Sequence, residues 1–332
     1  MRPILLTCFL LSSTILFAQS NPILATKEKL LIREAVHISN QFGDRLFEGF
    51  SKVPFAVLLV TDSTEFLINH PYPSADFTLL GFDSILDGNI YYRKTKFNTH
   101  LLATFPAVNG LSCIVVGTPE NTNKSSVEWI ITLLHEHFHQ YQNADSTYYS
   151  SVNKLDLSGG DETGMWMLNY PFPYDSTPVK TQYKLYTDAL YQIIADPGID
   201  HFKANYANYL LHRKKLQAIL PAAHYRYLSF QLWQEGLARN TEYKLLELLG
   251  NYEPSKEIML LPDYTPFSAL KEKMYTTETG NLVNNKLENE KRVCFYSVGF
   301  AEGLLLDKIN KNWRRNYLTD KFYIEKYHPH YK

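Results

Sequence analysis

The stretch LLHEHFHQY, residues 133–141, holds three histidines and a glutamate within five positions, in a chain with 11 histidines among 332 residues. On a helix, His135 and His139 stand one turn apart. Four residues climb about 6 Å and turn about 40°, so both imidazoles leave the same face and can grip one ion. Glu136 lies beside that pair, badly placed to join it as a ligand but able to take a proton from a water in the ion's open position. This is the H-E-x-x-H arrangement of zinc hydrolases, with two histidine ligands and a glutamate general base. His137 faces another way and reads as a packing or surface residue.

The surrounding sequence supports a helix over 125–142. Ser125 followed three residues later by Glu128 is a capping-box pattern, which satisfies two backbone donors at a helix start. The run VEWIITLL is then apolar on nearly every side, as in a buried helix. Placing His135, Glu136 and His139 in such a helix has a desolvation cost that a bound cation would offset.

A catalytic zinc site takes three protein ligands and leaves one position open. Glu235, in WQEGLARNTEY, is one candidate for the third ligand, and Asp145, at the end of HEHFHQYQNAD, is the other. HEHFH followed far downstream by WQEGLARNTE resembles the gluzincin peptidases of the peptidase MA clan. Their second helix supplies a glutamate ligand, often inside an E-G-x-A stretch. The resemblance implies Glu235 as third ligand, Zn2+ as cofactor, and a peptide or protein as substrate. It also implies a zincin-like α+β fold, in which a small mixed sheet leads into the site helix and a mainly helical lobe follows. The motifs match only over positions 133–142 and 232–243, although the order of elements agrees over most of the mature chain.

This sequence also departs from the pattern. Thermolysin-like members carry a carboxylate four residues after the ligand glutamate, where this chain has Arg239. Glu242, on roughly the same face, is the candidate to orient a ligand histidine instead. Glu235 also has a plain reading, an i,i+4 ion pair with Arg239. Asp145 gives a spacing similar to the aspartate-bearing metzincins, but that pattern wants a glycine where this chain has Gln142. Asn143 could make the turn one residue late.

Other groups could serve the same chemistry. Tyr296, in CFYSVGFAEGLLLDKI, is a candidate donor to a developing oxyanion; Gly299 and Gly303 on the same helix would permit close packing against the site. The blander reading is a tyrosine in a helix interface. The loop GGDETGMWMLNYPFPYDSTP, residues 159–178, either covers the cleft or is pinned to the core by its aromatics, and its Asp161 and Glu162 are further ligand candidates. LSCIVVGT, residues 111–118, is read as an edge strand open to an extended peptide or as an interior strand. The basic tail with Lys311, Arg314, Arg315, Lys321 and Lys326 reads as a solvated face.

The elements that must position these residues fall into two parts. Residues 19–150 form a mixed α/β lobe ending in the site helix, with an amphipathic helix over 27–50 and strands at 55–62, 65–70, 89–94 and 111–118. Residues 151–332 form a mainly helical lobe, with helices at 180–194, 201–219, 224–249 and 294–312, and carry the third ligand. MRPILLTCFLLSSTILFAQS reads as a secretory signal peptide over 1–18, too short an apolar run to span a membrane. An exported chain, periplasmic or extracellular, is expected, with no stable membrane insertion. Net charge is −1, which gives no electrostatic footprint for nucleic acid. Tyrosine is frequent, at 24 residues, which suits either a substrate groove or half-buried packing. Cys113 and Cys294 survive export as buried thiols or one long-range bridge. The reading is an exported zinc metallohydrolase, a metallopeptidase with Glu136 as base. The alternatives are a zinc hydrolase of a non-peptide amide or ester in cell-wall or glycan material, and a non-catalytic zinc-containing binding protein.

Overall fold

A computed structural model describes residues 21–196 and 198–329 of the chain, so the leader and its cleavage site lie outside the described residues. Six strands make one mixed sheet: β1 (Val57–Val60), β2 (Thr64–Ile68), β3 (Thr78–Asp83), β4 (Gly88–Lys94), β5 (Leu102–Val108) and β6 (Leu111–Gly117). Their order is β3-β4-β2-β1-β6-β5. Only the β1–β6 pair is parallel. Side chains alternate across the pleat. Val57, Leu59, Ile114 and Val116 face the main core, while Leu58, Val60, Cys113 and Val115 face a smaller cluster with Phe77 and Val108.

Two strands were not legible in the sequence, and both are edges. β3 carries Gly81 at φ 137°, where its register with β4 slips. β5 contains Pro106, which has no N–H to give a ladder and is tolerated at an edge. LSCIVVGT becomes β6, an interior strand between β1 and β5. Its central residues are buried on both faces, as its unbroken apolar run requires; the exposed edge beside the site helix belongs to β5.

The long helices are α1 (Thr26–Phe42), α2 (Ser126–Ala144), α3 (Thr177–Ala195), α4 (Ile199–Ile219), α5 (Ala222–Gln231), α6 (Leu237–Leu248), α7 (Phe267–Asn284) and α8 (Cys294–Ile309). The fold is thus α+β. A π turn, Leu232–Gly236, joins α5 to α6 within one continuous helix. α2 packs on β5 and β6 on one side and on α1 and α6 on the others. α8 crosses the π turn where Gly236 meets Gly299: a Cβ on Gly236 would stand 2.5 Å from Gly299 Cα, so only glycine permits the approach. One apolar cluster runs from Leu24 through Trp129, Phe138 and Trp233 to Tyr327, joining residues from both sides of position 150. Among the described residues, no helix is long and apolar enough to cross a membrane. Cys113 and Cys294 are both free and buried.

Candidate metal centre

The site helix α2 begins with the expected cap. Ser125 Oγ accepts from the Glu128 N–H, and the Glu128 carboxylate accepts from the Ser125 N–H at 3.0 Å. Asp263 receives the next backbone donor, Ser126 N–H, at 2.8 Å. This fixed start sets the rotation of α2. His135 and His139 are both buried and point inward, with their Nε2 atoms 3.0 Å apart.

Glu235 closes the group. Its Oε2 lies 3.3 Å from His139 Nε2 and 3.7 Å from His135 Nε2. The π turn carries it. Leu237 N–H reaches back to Leu232 O, and the carbonyls of Trp233 and Gln234 accept from Tyr317 Oη and Gln142 Nε2, each at 3.0 Å. Side chains from distant elements therefore hold the helix open at this turn, a distortion frequent at functional sites.

The outer nitrogens decide which atoms carry protons. His135 Nδ1 meets Glu242 Oε1 at 2.5 Å, and a carboxylate only accepts, so that nitrogen carries the hydrogen. His139 Nδ1 meets Gln142 Oε1 at 2.6 Å. The Gln142 amide is oriented by its donations to Gln234 O and Tyr317 Oη, so His139 Nδ1 also donates. Gln234 Nε2 approaches the same nitrogen at 3.2 Å; the shorter contact, to an oxygen, governs. With neutral rings, two imidazole lone pairs and a carboxylate oxygen then face one another with no proton between them. Such a trio repels itself unless positive charge enters.

Its dimensions suit one metal ion. Tetrahedral zinc with bonds of about 2.0–2.1 Å holds its ligand atoms roughly 3.3–3.4 Å apart. The three separations here, 3.0, 3.3 and 3.7 Å, bracket that value. Among the described residues these three side chains form the one group able to hold a metal ion. The electrostatics agree in sign. Burial alone would lower the His135 imidazole, but Glu242 and Glu235 outweigh it and raise it to about 10. His139 is raised against burial by Glu235. Burial would raise Glu235, yet the two histidines hold it well below the usual carboxylate range. The pocket favours a cation, whether protons or a metal.

Beside this group, reaching it at His135, lies a cleft of about 330 Å³ whose lining includes Glu136, Leu102, Lys124, Glu278 and Tyr296. Glu136 stays outside the ligand group, and its Oε2 accepts from Thr104 Oγ1 at 2.9 Å. Tyr296 is brought to the site: its ring lies parallel to His135 at 6.5 Å, and Arg292 donates to its hydroxyl at 3.2 Å. Arg239 does not pair with Glu235. Instead its guanidinium bridges Glu242 at 3.0 Å and Glu278 at 3.3 Å. Burial would raise Glu242, but Arg239 and then His135 keep it lowered.

Other candidates go elsewhere. Asp145 caps the end of α2, bonded to Thr147 and paired with Lys321 at 3.0 Å. Asp161 accepts from Thr163 and Trp166 within its loop, and Glu162 is exposed. His137 packs between Phe50 and Phe55, with burial pushing it down to about 4. The 159–178 loop is pinned by its aromatics: Tyr170 stacks on Tyr227 at 4.4 Å, Trp166 on Phe230, and Phe172 meets Phe295 edge-on. The basic tail is not a uniformly solvated face, since Arg314 pairs with Asp307 and Lys321 is 8% exposed.

The residues that sequence reasoning missed are Thr104, Gln142 as a ring partner, and the Arg239–Glu278 pair. Only Gln142, three residues after His139, left a local signal.

No family model, no curated protein and no solved structure matches this chain.

Proposed function

We propose that the protein is an exported, zinc-dependent metallohydrolase of gluzincin type that cleaves peptide bonds. One observation carries this reading: two imidazole nitrogens and a carboxylate oxygen converge at 3.0, 3.3 and 3.7 Å, beside an open cleft. His135, His139 and Glu235 would hold the ion, and Glu242 orients His135. When bound, zinc supplies Lewis acidity and brings the pKa of an attacking water to about 7.

The chain's own residues do the rest. Glu136 lines the cleft next to His135 without competing for the ion, so its carboxylate is free to take the water's proton and pass it to the leaving nitrogen. The Tyr296 hydroxyl, with Arg292 behind it, would donate to the scissile carbonyl oxygen as charge develops there. β5, the sheet edge next to α2, offers unpaired backbone groups to an extended peptide. This sheet edge, site helix and third-ligand helix are what support the zincin-like reading.

The test uses the purified mature chain. It should contain zinc and cleave a fluorogenic peptide mixture, lose activity to a chelator, and regain it with zinc. Glu136→Gln should keep zinc while turnover falls about 10²–10⁴-fold. Zinc-independent cleavage, or full activity in that variant, would refute the reading. Activity on a cell-wall digest alone would move the substrate to a non-peptide bond.

A further inference from the structure

Glu136 is 5% exposed, yet among the described residues its carboxylate has no ion pair. Thr104 is the one side chain there that gives it a hydrogen bond. Thr104 Oγ1 stands 2.9 Å from Glu136 Oε2 and also 2.9 Å from the Glu136 backbone oxygen. A carbonyl oxygen and an ionised carboxylate only accept, so the hydroxyl donates, shared between them. That contact restrains the carboxylate through Oε2 and leaves lone pairs for a reacting water.

Thr104 comes from the edge strand rather than from the helix that carries Glu136. It pairs with Ile114 of β6, and Leu102, two residues earlier on the same face, lines the cleft. A β-branched side chain on a strand has few χ1 options, so the strand backbone fixes where Oγ1 sits. We propose that Thr104 is a positioning residue for Glu136, and that through it β5 ties the ledge on which substrate lies to the base that acts on it. The idea rests on the peptidase reading for its catalytic consequence, but not for the contact itself.

Two arms test it. Thr104→Val keeps the shape and removes only the donor. Its kcat on the best-cleaved peptide of the fluorogenic mixture should fall about 10–100-fold, with KM and zinc content unchanged, and Thr104→Ser should recover most of the loss. Crystal structures of the same proteins give a readout free of activity: the Glu136 side chain should leave its wild-type rotamer in the Val variant and keep it in the Ser variant. An unmoved carboxylate in Thr104→Val, or a kcat loss that serine does not rescue, would overturn the proposal. So would a loss that comes with a risen KM or missing zinc. If the wild type cleaves no peptide, the peptidase reading fails by itself, and the crystallographic arm alone decides the role of Thr104.

Discussion

Two buried charge clusters in this protein are built on opposite principles. In the helical part, Glu302 Oε1 accepts from Tyr186 and Tyr209 hydroxyls at 2.5 and 2.6 Å and from Arg213 Nε at 3.0 Å. Arg213 also pairs with Glu325 at 3.0 Å and donates to Tyr225 Oη, which in turn donates to Glu325. Donors there face acceptors. At Glu235 the partners are two histidines, which carry positive charge only when protonated or when they share a metal ion. Arg213 is 3% exposed and Glu302 0%, against 8% and 6% for the two histidines, with Glu235 less completely buried, so both clusters are largely withdrawn from water. What separates them is the source of positive charge: a fixed arginine supplies it in one place, and protons on the rings or the proposed metal ion supply it in the other. A buried cluster whose positive charge can be exchanged is therefore more informative about function than a fixed buried ion pair.

The comparison can be broken from either side. Arg213→Met leaves Glu302 and Glu325 as buried acids without their cation. Denaturant unfolding should show a loss of about 3–5 kcal/mol, while zinc content stays at the wild-type value. A stability unchanged by this variant would remove the contrast. On the other side, saturating zinc should stabilise the wild type by about 4 kcal/mol when free zinc exceeds its dissociation constant a thousandfold. That increment should vanish in His139→Ala and persist in Arg213→Met, as read by melting with and without chelator.

Smaller effects sharpen the picture of the site. Glu242→Gln takes away the charge behind His135, and competitive titration should show zinc affinity falling about 10–100-fold; an unchanged affinity would mean that Glu242 only packs there. The pH dependence has a definite sign. Both ligand imidazoles are raised, His135 to about 10, so in the metal-free chain zinc must displace protons. Affinity should rise with pH through the neutral range, with proton release seen as a buffer-dependent binding enthalpy. The smallest effect falls on Tyr296→Phe, where turnover should drop about tenfold with KM unchanged if its hydroxyl acts only on developing charge.

How much of this was legible depended on whether the signal was local. The cap at Ser125 and the spacing of His135 and His139 follow from residues within one helical turn of one another. α7 went unread because Thr276, Thr277, Thr279 and Gly280 give it neither helix propensity nor a clear apolar stripe; with it went Glu278, which the structure places on Arg239. β5 was hidden by Pro106, and without it β6 could be read as either an edge or an interior strand. The π turn depends on Tyr317 and Gln142 reaching carbonyls far away in sequence, and the Arg213 network on pairings equally distant. No window of neighbouring residues contains such contacts.

The most direct test of the central claim is anomalous diffraction at the zinc edge on crystals of the purified mature chain. One zinc per chain is predicted, within bonding distance of His135 Nε2, His139 Nε2 and Glu235 Oε2. A fully ordered site with no metal after zinc loading, or zinc bound through Asp145 in place of Glu235, would contradict it.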